Sequence, residues 1–189
     1  AEEVDDERLL AQVYRTQADV FMQVSNTENA RKLYQICETK CKTTDDKVEH
    51  ARCLCGMGEL AAGSHEPDHV QALEKFSQAL EISQSIGYKK GIALANYGAG
   101  LVYRRVGDYV RAAEALHESA ENFKQLDNRV MHCQSLAAYA LCKCYEGVYD
   151  EAKALITQAK ELADPSRDKQ QLSLITDTEE MVLQLEKLL

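Results

Sequence analysis

"GDYVRAAEALHESA" occupies residues 107–120, and "GVYDEAKALITQAK" occupies residues 147–160, forty positions later. Both open on Gly-x-Tyr, place an alanine five residues after the glycine, and continue with apolar residues at helical spacing. With Ala112 and Ala152 as register marks, Ala72 stands forty residues earlier in "VQALEKFSQAL", and Ala30 forty-two before that in "ENARKLYQICE". A large side chain follows each alanine by four residues: Tyr34, Phe76, Leu116 and Ile156. Three further on comes a small one: Cys37, Ala79, Ser119 and Ala159. Residues three and four apart share one face of an α-helix, so each mark sits on an amphipathic helix.

A preceding helix keeps the same count. Ala18, Gly58, Gly100 and Ala140 are spaced by forty, forty-two and forty, and the two extra residues fall in the longer loop "GSHEPDH" at 63–69. Tyr14, Leu54, Asn96 and Leu136 stand four residues before these small residues, and Phe21, Ala61, Tyr103 and Lys143 three after them. A small residue lets a paired helix approach closely. The bulky residue on that second helix then fills the gap between consecutive hairpins. No hairpin buries its apolar face alone, so neighbours stack. The expected fold is an all-α solenoid of four helix-turn-helix repeats, at about 7–43, 46–86, 88–126 and 128–164. A capping or next-repeat helix follows at 166–189, and the whole is expected to wind as one right-handed superhelix.

Composition agrees with that expectation. Only two prolines and nine glycines interrupt a chain rich in helix formers, and alternating β-branched runs are missing. Net charge is -9, from 31 acidic and 22 basic residues, without a basic stripe. That excludes nucleic acid as the expected partner, because phosphate backbones are held by clustered Lys and Arg. No apolar run approaches the roughly 20 residues that span a bilayer, and the acidic start "AEEVDDER" opens no signal peptide. The seven cysteines form no CxxC pair, and Cys53-x-Cys55 and Cys142-x-Cys144 each point two thiols in different directions. They read as reduced thiols filling a core in a reducing, cytoplasmic compartment.

Catalytic signatures are missing: there is no phosphate-cradling glycine loop, G-x-S-x-G or H-E-x-x-H. The expectation is a non-enzymatic protein without a cofactor. His65, Glu66, Asp68 and His69 could hold zinc by composition, but in an exposed loop they read as a polar turn.

The segments "AGLVYRRVGDYVRAAEALHESA" and "YALCKCYEGVYDEAKALITQA" resemble the tetratricopeptide repeat family, whose signature is small-x-x-Tyr, Gly-x-Tyr-x-x-Ala, then large-x-x-small. The resemblance covers nearly the whole chain, and the forty-residue period looks like that of Pins-type polarity adaptors and soluble NSF attachment proteins. Asn96 and Lys143 depart from the apolar residues usual at their positions, and the proline expected after each second helix occurs only at Pro165.

The resemblance implies a scaffold or adaptor that binds a peptide or helical segment of another protein in a groove lined by first helices. Carried over by position, the groove residues are Arg15 and Asp19, then Arg52 and Glu59, then Tyr97, Leu101, Arg104 and Arg105, then Gln134 and Tyr145. The carboxylate clamp of the cochaperone branch is missing, since its places hold Arg15, Asp19, Gly56, Leu94 and Gly98. Arg104 and Arg105 are a local exception in an acidic chain and point to an acidic or phosphorylated partner segment. Two other readings stand beside this one. The chain could be a structural segment of a larger solenoid that contacts partners through its ends or convex face, with further repeats of its parent chain as neighbours, or a thiol-regulated or metal-binding helical protein.

Overall fold

A computed structural model describes residues 2–163 and 168–187, with side chains from residue 4 onward. Pro165, Leu188 and Leu189 lie outside the described residues. Among these residues the protein is all α-helix: α1 (Glu2–Gln23), α2 (Thr27–Thr44), α3 (Lys47–Gly63), α4 (His69–Ser85), α5 (Lys89–Arg105), α6 (Tyr109–Gln125), α7 (Arg129–Tyr145), α8 (Tyr149–Leu162) and α9 (Lys169–Lys187). Two compact units, Ala1–Gly98 and Ala99–Leu189, divide the chain within α5.

The turns carry the repeat in their backbone. Ser25, Asp45, Gly87, Gly107, Asp127 and Gly147 each adopt a positive φ at the end of a helix. The next residue then starts the following helix, and Asn26, Asp46, Asp108 and Asn128 accept a hydrogen bond from the backbone N–H three residues on. A left-handed residue closes one helix and a short polar side chain caps the next, which makes a tight antiparallel hairpin. Glycine serves at 107 and 147 because the left-handed region costs it nothing. Aspartate tolerates the same geometry at 45 and 127. The longer loop after α3 ends on Asp68, which caps α4 through the Gln71 N–H.

The register marks are buried. Ala30, Ala72, Ala112 and Ala152 are inaccessible to solvent, as are Ala18 and Ala140, while Tyr34, Phe76, Leu116 and Ile156 are buried large side chains. In the first unit Tyr34 of α2 lies over Gly56 of α3, where an added Cβ would stand 2.5 Å from the phenol oxygen. Phe76 of α4 lies between Gly58 and Gly98, where Cβ atoms would come within 2.9 and 2.3 Å of its ring. In the second unit a Cβ at Gly100 would meet Leu116 at 2.6 Å. Tyr34, Phe76 and Leu116 therefore fit because glycine notches the facing helices.

In the second unit α9 takes the place of another first helix. Its buried residues Ile175, Thr178 and Val182 stand forty positions after Ser135, Ala138 and Cys142, which are also buried. Glu180, however, occupies the close-approach place held by Ala140 in α7, and it is exposed. A charged side chain thus stands where α7 carries the small residue of the close approach.

Candidate partner-binding surface

In the first unit, two sequence-selected residues, Arg15 and Arg52, converge on one that the sequence did not single out. Glu49 is 1% exposed, and its carboxylate accepts from Arg15 Nε and, at 3.0 Å, from Arg52 Nη1. Arg15 also pairs with Asp19, one turn along α1, and Asp19 accepts a 2.6 Å bond from the Tyr34 hydroxyl. Arg15 is thus largely committed to internal partners. Arg52 keeps more of its guanidinium in solvent, with 37% of its side chain accessible. Glu59 is exposed on α3, and Tyr97 is half-buried on α5.

This cluster sets the local electrostatics. Burial works against the Arg15 charge, but the hydrogen bond and charge of Glu49, with Asp19 behind them, hold its pKa above the ordinary value. Burial and then the bond to Asp19 push the Tyr34 phenol upward. Desolvation, followed by repulsion from Asp19, raises Glu59. Because the Glu59 side chain is exposed by area, water screens part of that effect.

The sign follows from proton linkage. A carboxyl with a raised folded pKa binds protons more tightly in the folded state, so it favours folding in acid and subtracts from stability once pH exceeds both values. Glu59→Gln is expected to raise the urea midpoint at pH 7, with the gain shrinking to nothing below the ordinary value of 4.5. An unchanged midpoint at pH 7 would mean that solvent fully relieves the charge.

In the second unit, Leu101 and Gln134 are half-buried. Tyr145 stacks on Tyr109, with ring centroids 4.5 Å apart and planes 12° from parallel. Arg111 donates to Asp108 and lies over the Tyr103 ring at 4.8 Å. Asp108 is therefore engaged by Arg111. Arg104 Nε is buried and has no hydrogen-bond partner among the described residues. Arg105 is exposed on the last turn of α5 and is not without a partner. Leu174 and Met181 of α9 are exposed forty positions after Gln134 and Leu141. They extend the same register of face positions onto α9.

All seven thiols are buried. Desolvation pushes Cys55 up to about 12 and Cys142 up to about 11, so neither forms thiolate readily near neutral pH. Among the described residues no group of three or more His, Cys, Asp or Glu is arranged to hold a metal ion. No helix of these residues is long and apolar enough to cross a membrane. A recess of about 400 Å³ opens between α2, α3 and α4, lined by Glu38, Lys42, His50, Leu54 and Ile82. Lys42 and Lys75 both approach the Glu38 carboxylate there, at 2.8 and 3.7 Å.

No protein-family model matches the chain, and no curated protein matches it. Solved structures do. The apo form of RapI superposes with a TM-score of 0.82 at 21% identity, over 98% of this chain and 53% of that one. A Rap protein complexed with competence and sporulation factor gives 0.73 at 19%, over 95% of this chain and 52% of that one. A STAND protein with a tetratricopeptide repeat sensor, from Pyrococcus horikoshii, gives 0.69 at 17%, over 92% and 25%. The chain thus spans about half the length of the two Rap structures. These likenesses show the fold: an all-α helical repeat of the tetratricopeptide type.

Proposed function

We propose that the protein is a non-enzymatic interaction scaffold whose first-helix faces bind an acidic or phosphorylated segment of another protein. In the first unit that face carries Arg15, Asp19, Arg52, Glu59 and Tyr97. In the second it carries Leu101, Arg104, Arg105, Gln134 and Tyr145. The observation that carries the reading is Arg104. It is a guanidinium in an acidic chain, with no carboxylate partner among the described residues, while the carboxylate four positions on, Asp108, is engaged by Arg111. Arginine forks bind carboxylate and phosphate in two-point geometry, and a guanidinium with no carboxylate against it among the described residues is suited to that. Likeness to a Rap structure that holds competence and sporulation factor supports a binding role.

The test is a panel of acidic, phosphorylated and neutral peptides titrated against the protein and against Arg104→Glu with Arg105→Glu. The double reversal is expected to weaken the acidic binders at least tenfold, about 1.4 kcal/mol, with helicity unchanged. Equal affinity for wild type and variant would move the site off α5.

A further inference from the structure

Three helix faces of the first unit turn toward one recess. Glu38 and Lys42 stand one turn apart on α2, His50 and Leu54 one turn apart on α3, and Gln78, Ile82 and Ser85 at helical spacing on α4. The space that they line is about 400 Å³, within the roughly 300–1,000 Å³ typical of small-ligand sites. Leu54 is buried and Ile82 half-buried, which gives the recess an apolar lining beside its charged one.

Three nitrogen atoms converge there on a single oxygen. Glu38 Oε1 lies 2.8 Å from Lys42 Nζ, 3.7 Å from Lys75 Nζ and 3.9 Å from His50 Nε2. Only the first is within hydrogen-bond reach. The Lys75 side chain is 18% exposed, and among the described residues its ammonium donates no hydrogen bond. His50 Nε2 is buried and has no hydrogen-bond partner among them either. Buried polar nitrogens are rarely left so, and Glu38 meets the demand of one of the three.

The surroundings of that oxygen favour negative charge. Burial works against the Glu38 charge, yet the Lys42 hydrogen bond and the Lys75 charge hold its carboxyl below the ordinary value. The chain as a whole carries a net charge of -9, so this gathering of cations is local. Glu81 also lines the recess, but it is exposed, where water and salt screen its charge.

We propose that this recess binds a small amphiphilic carboxylate, whose acid group replaces Glu38 Oε1 among Lys42, Lys75 and His50 and whose apolar body lies against Leu54 and Ile82. An incoming carboxylate brings two oxygens, so it accepts from Lys75 and from a protonated His50 Nε2 together. Glu38 then turns toward solvent. In the free protein it is an internal competitor that occupies the cations the ligand needs. This site uses none of the first-helix face residues named above and does not depend on them.

The probe is octanoate, titrated into the full chain by calorimetry and by NMR. Saturable binding is expected, with shifts at His50, Leu54, Lys75 and Ile82. Acetate keeps the acid and loses the apolar body, while octylamine keeps the body and reverses the charge. Each is expected to bind more weakly than octanoate by about tenfold or more. Lys75→Gln is expected to weaken octanoate by about the same factor. Glu38→Gln is expected to tighten it, because the cations lose their internal carboxylate and keep their places. Circular dichroism reports whether each variant folds. Lys42→Gln, on a side chain that is 61% exposed, replaces Lys75→Gln if that variant unfolds. Glu38→Asp, whose shorter carboxylate retreats from the cations, replaces Glu38→Gln on the same terms. No saturable binding, shifts confined to other faces, or equal affinity for octylamine overturns the proposal. So does a Glu38 variant that binds octanoate no more tightly than the wild type.

Discussion

Glu49→Ala is expected to lower stability by about 3–5 kcal/mol, the range for breaking a buried ion pair from one side. Glu49 is almost inaccessible, and the two guanidinium groups that hold it belong to different helices, α1 and α3. Removing the carboxylate leaves Arg15, whose side chain is only 12% exposed, with Asp19 as its remaining charge partner. The arginine must then swing out and open the packing, or stay desolvated and half-paired. Either route costs more than the median surface pair, which is worth about 0–1 kcal/mol. Replacing Glu49 by leucine and Arg15 by methionine together is expected to recover much of the loss, because well-packed apolar pairs often match a buried ion pair. Urea denaturation of the three variants measures this. A loss below about 1 kcal/mol for Glu49→Ala would show that water already reaches Arg15 and that the cluster behaves as a surface network.

Glu49 also marks the limit of what the sequence could tell. The repeat was legible because small and large residues recur at one spacing, and spacing is local information. Ala30, Ala72, Ala112 and Ala152 announce themselves, and all four are buried. Glu49 stands in the register place of Leu9, Gly91 and Met131, so nothing periodic distinguishes it. Its importance comes from Arg15, 34 residues away, and only packing brings the two together. The candidate surface suffers the same way. Arg15 and Arg52 were visible as charges at face positions, but how far each is committed to Glu49 was not. The turns were half legible: Gly107 and Gly147 advertise a left-handed residue, whereas Asp45 and Asp127 do the same work without a glycine to signal it.

Phe76→Ala is expected to cost about 3–5 kcal/mol, as buried aromatic truncations do, but the sharper test concerns its fit to Gly98. The Phe76 ring is 1% exposed and would come within 2.3 Å of a Cβ at Gly98. A buried ring has little room to yield. Gly98→Ala is therefore expected to destabilise by about 1–3 kcal/mol through overpacking, although alanine is favoured over glycine in a helix by about 0.8–1 kcal/mol. A net loss thus reports the clash directly. Phe76→Leu alone leaves a void over an unfilled glycine. With both changes the pair becomes leucine over alanine, the residue types that stand at the matching repeat positions 116 and 138, and each substitution removes the other's defect. The double variant is expected to be more stable than the sum of the singles predicts by about 0.5–3 kcal/mol, the range for residues in contact. Gly58, the other wall around Phe76, stays unchanged and serves as an internal reference. Strict additivity in the cycle would mean that ring and seat do not touch.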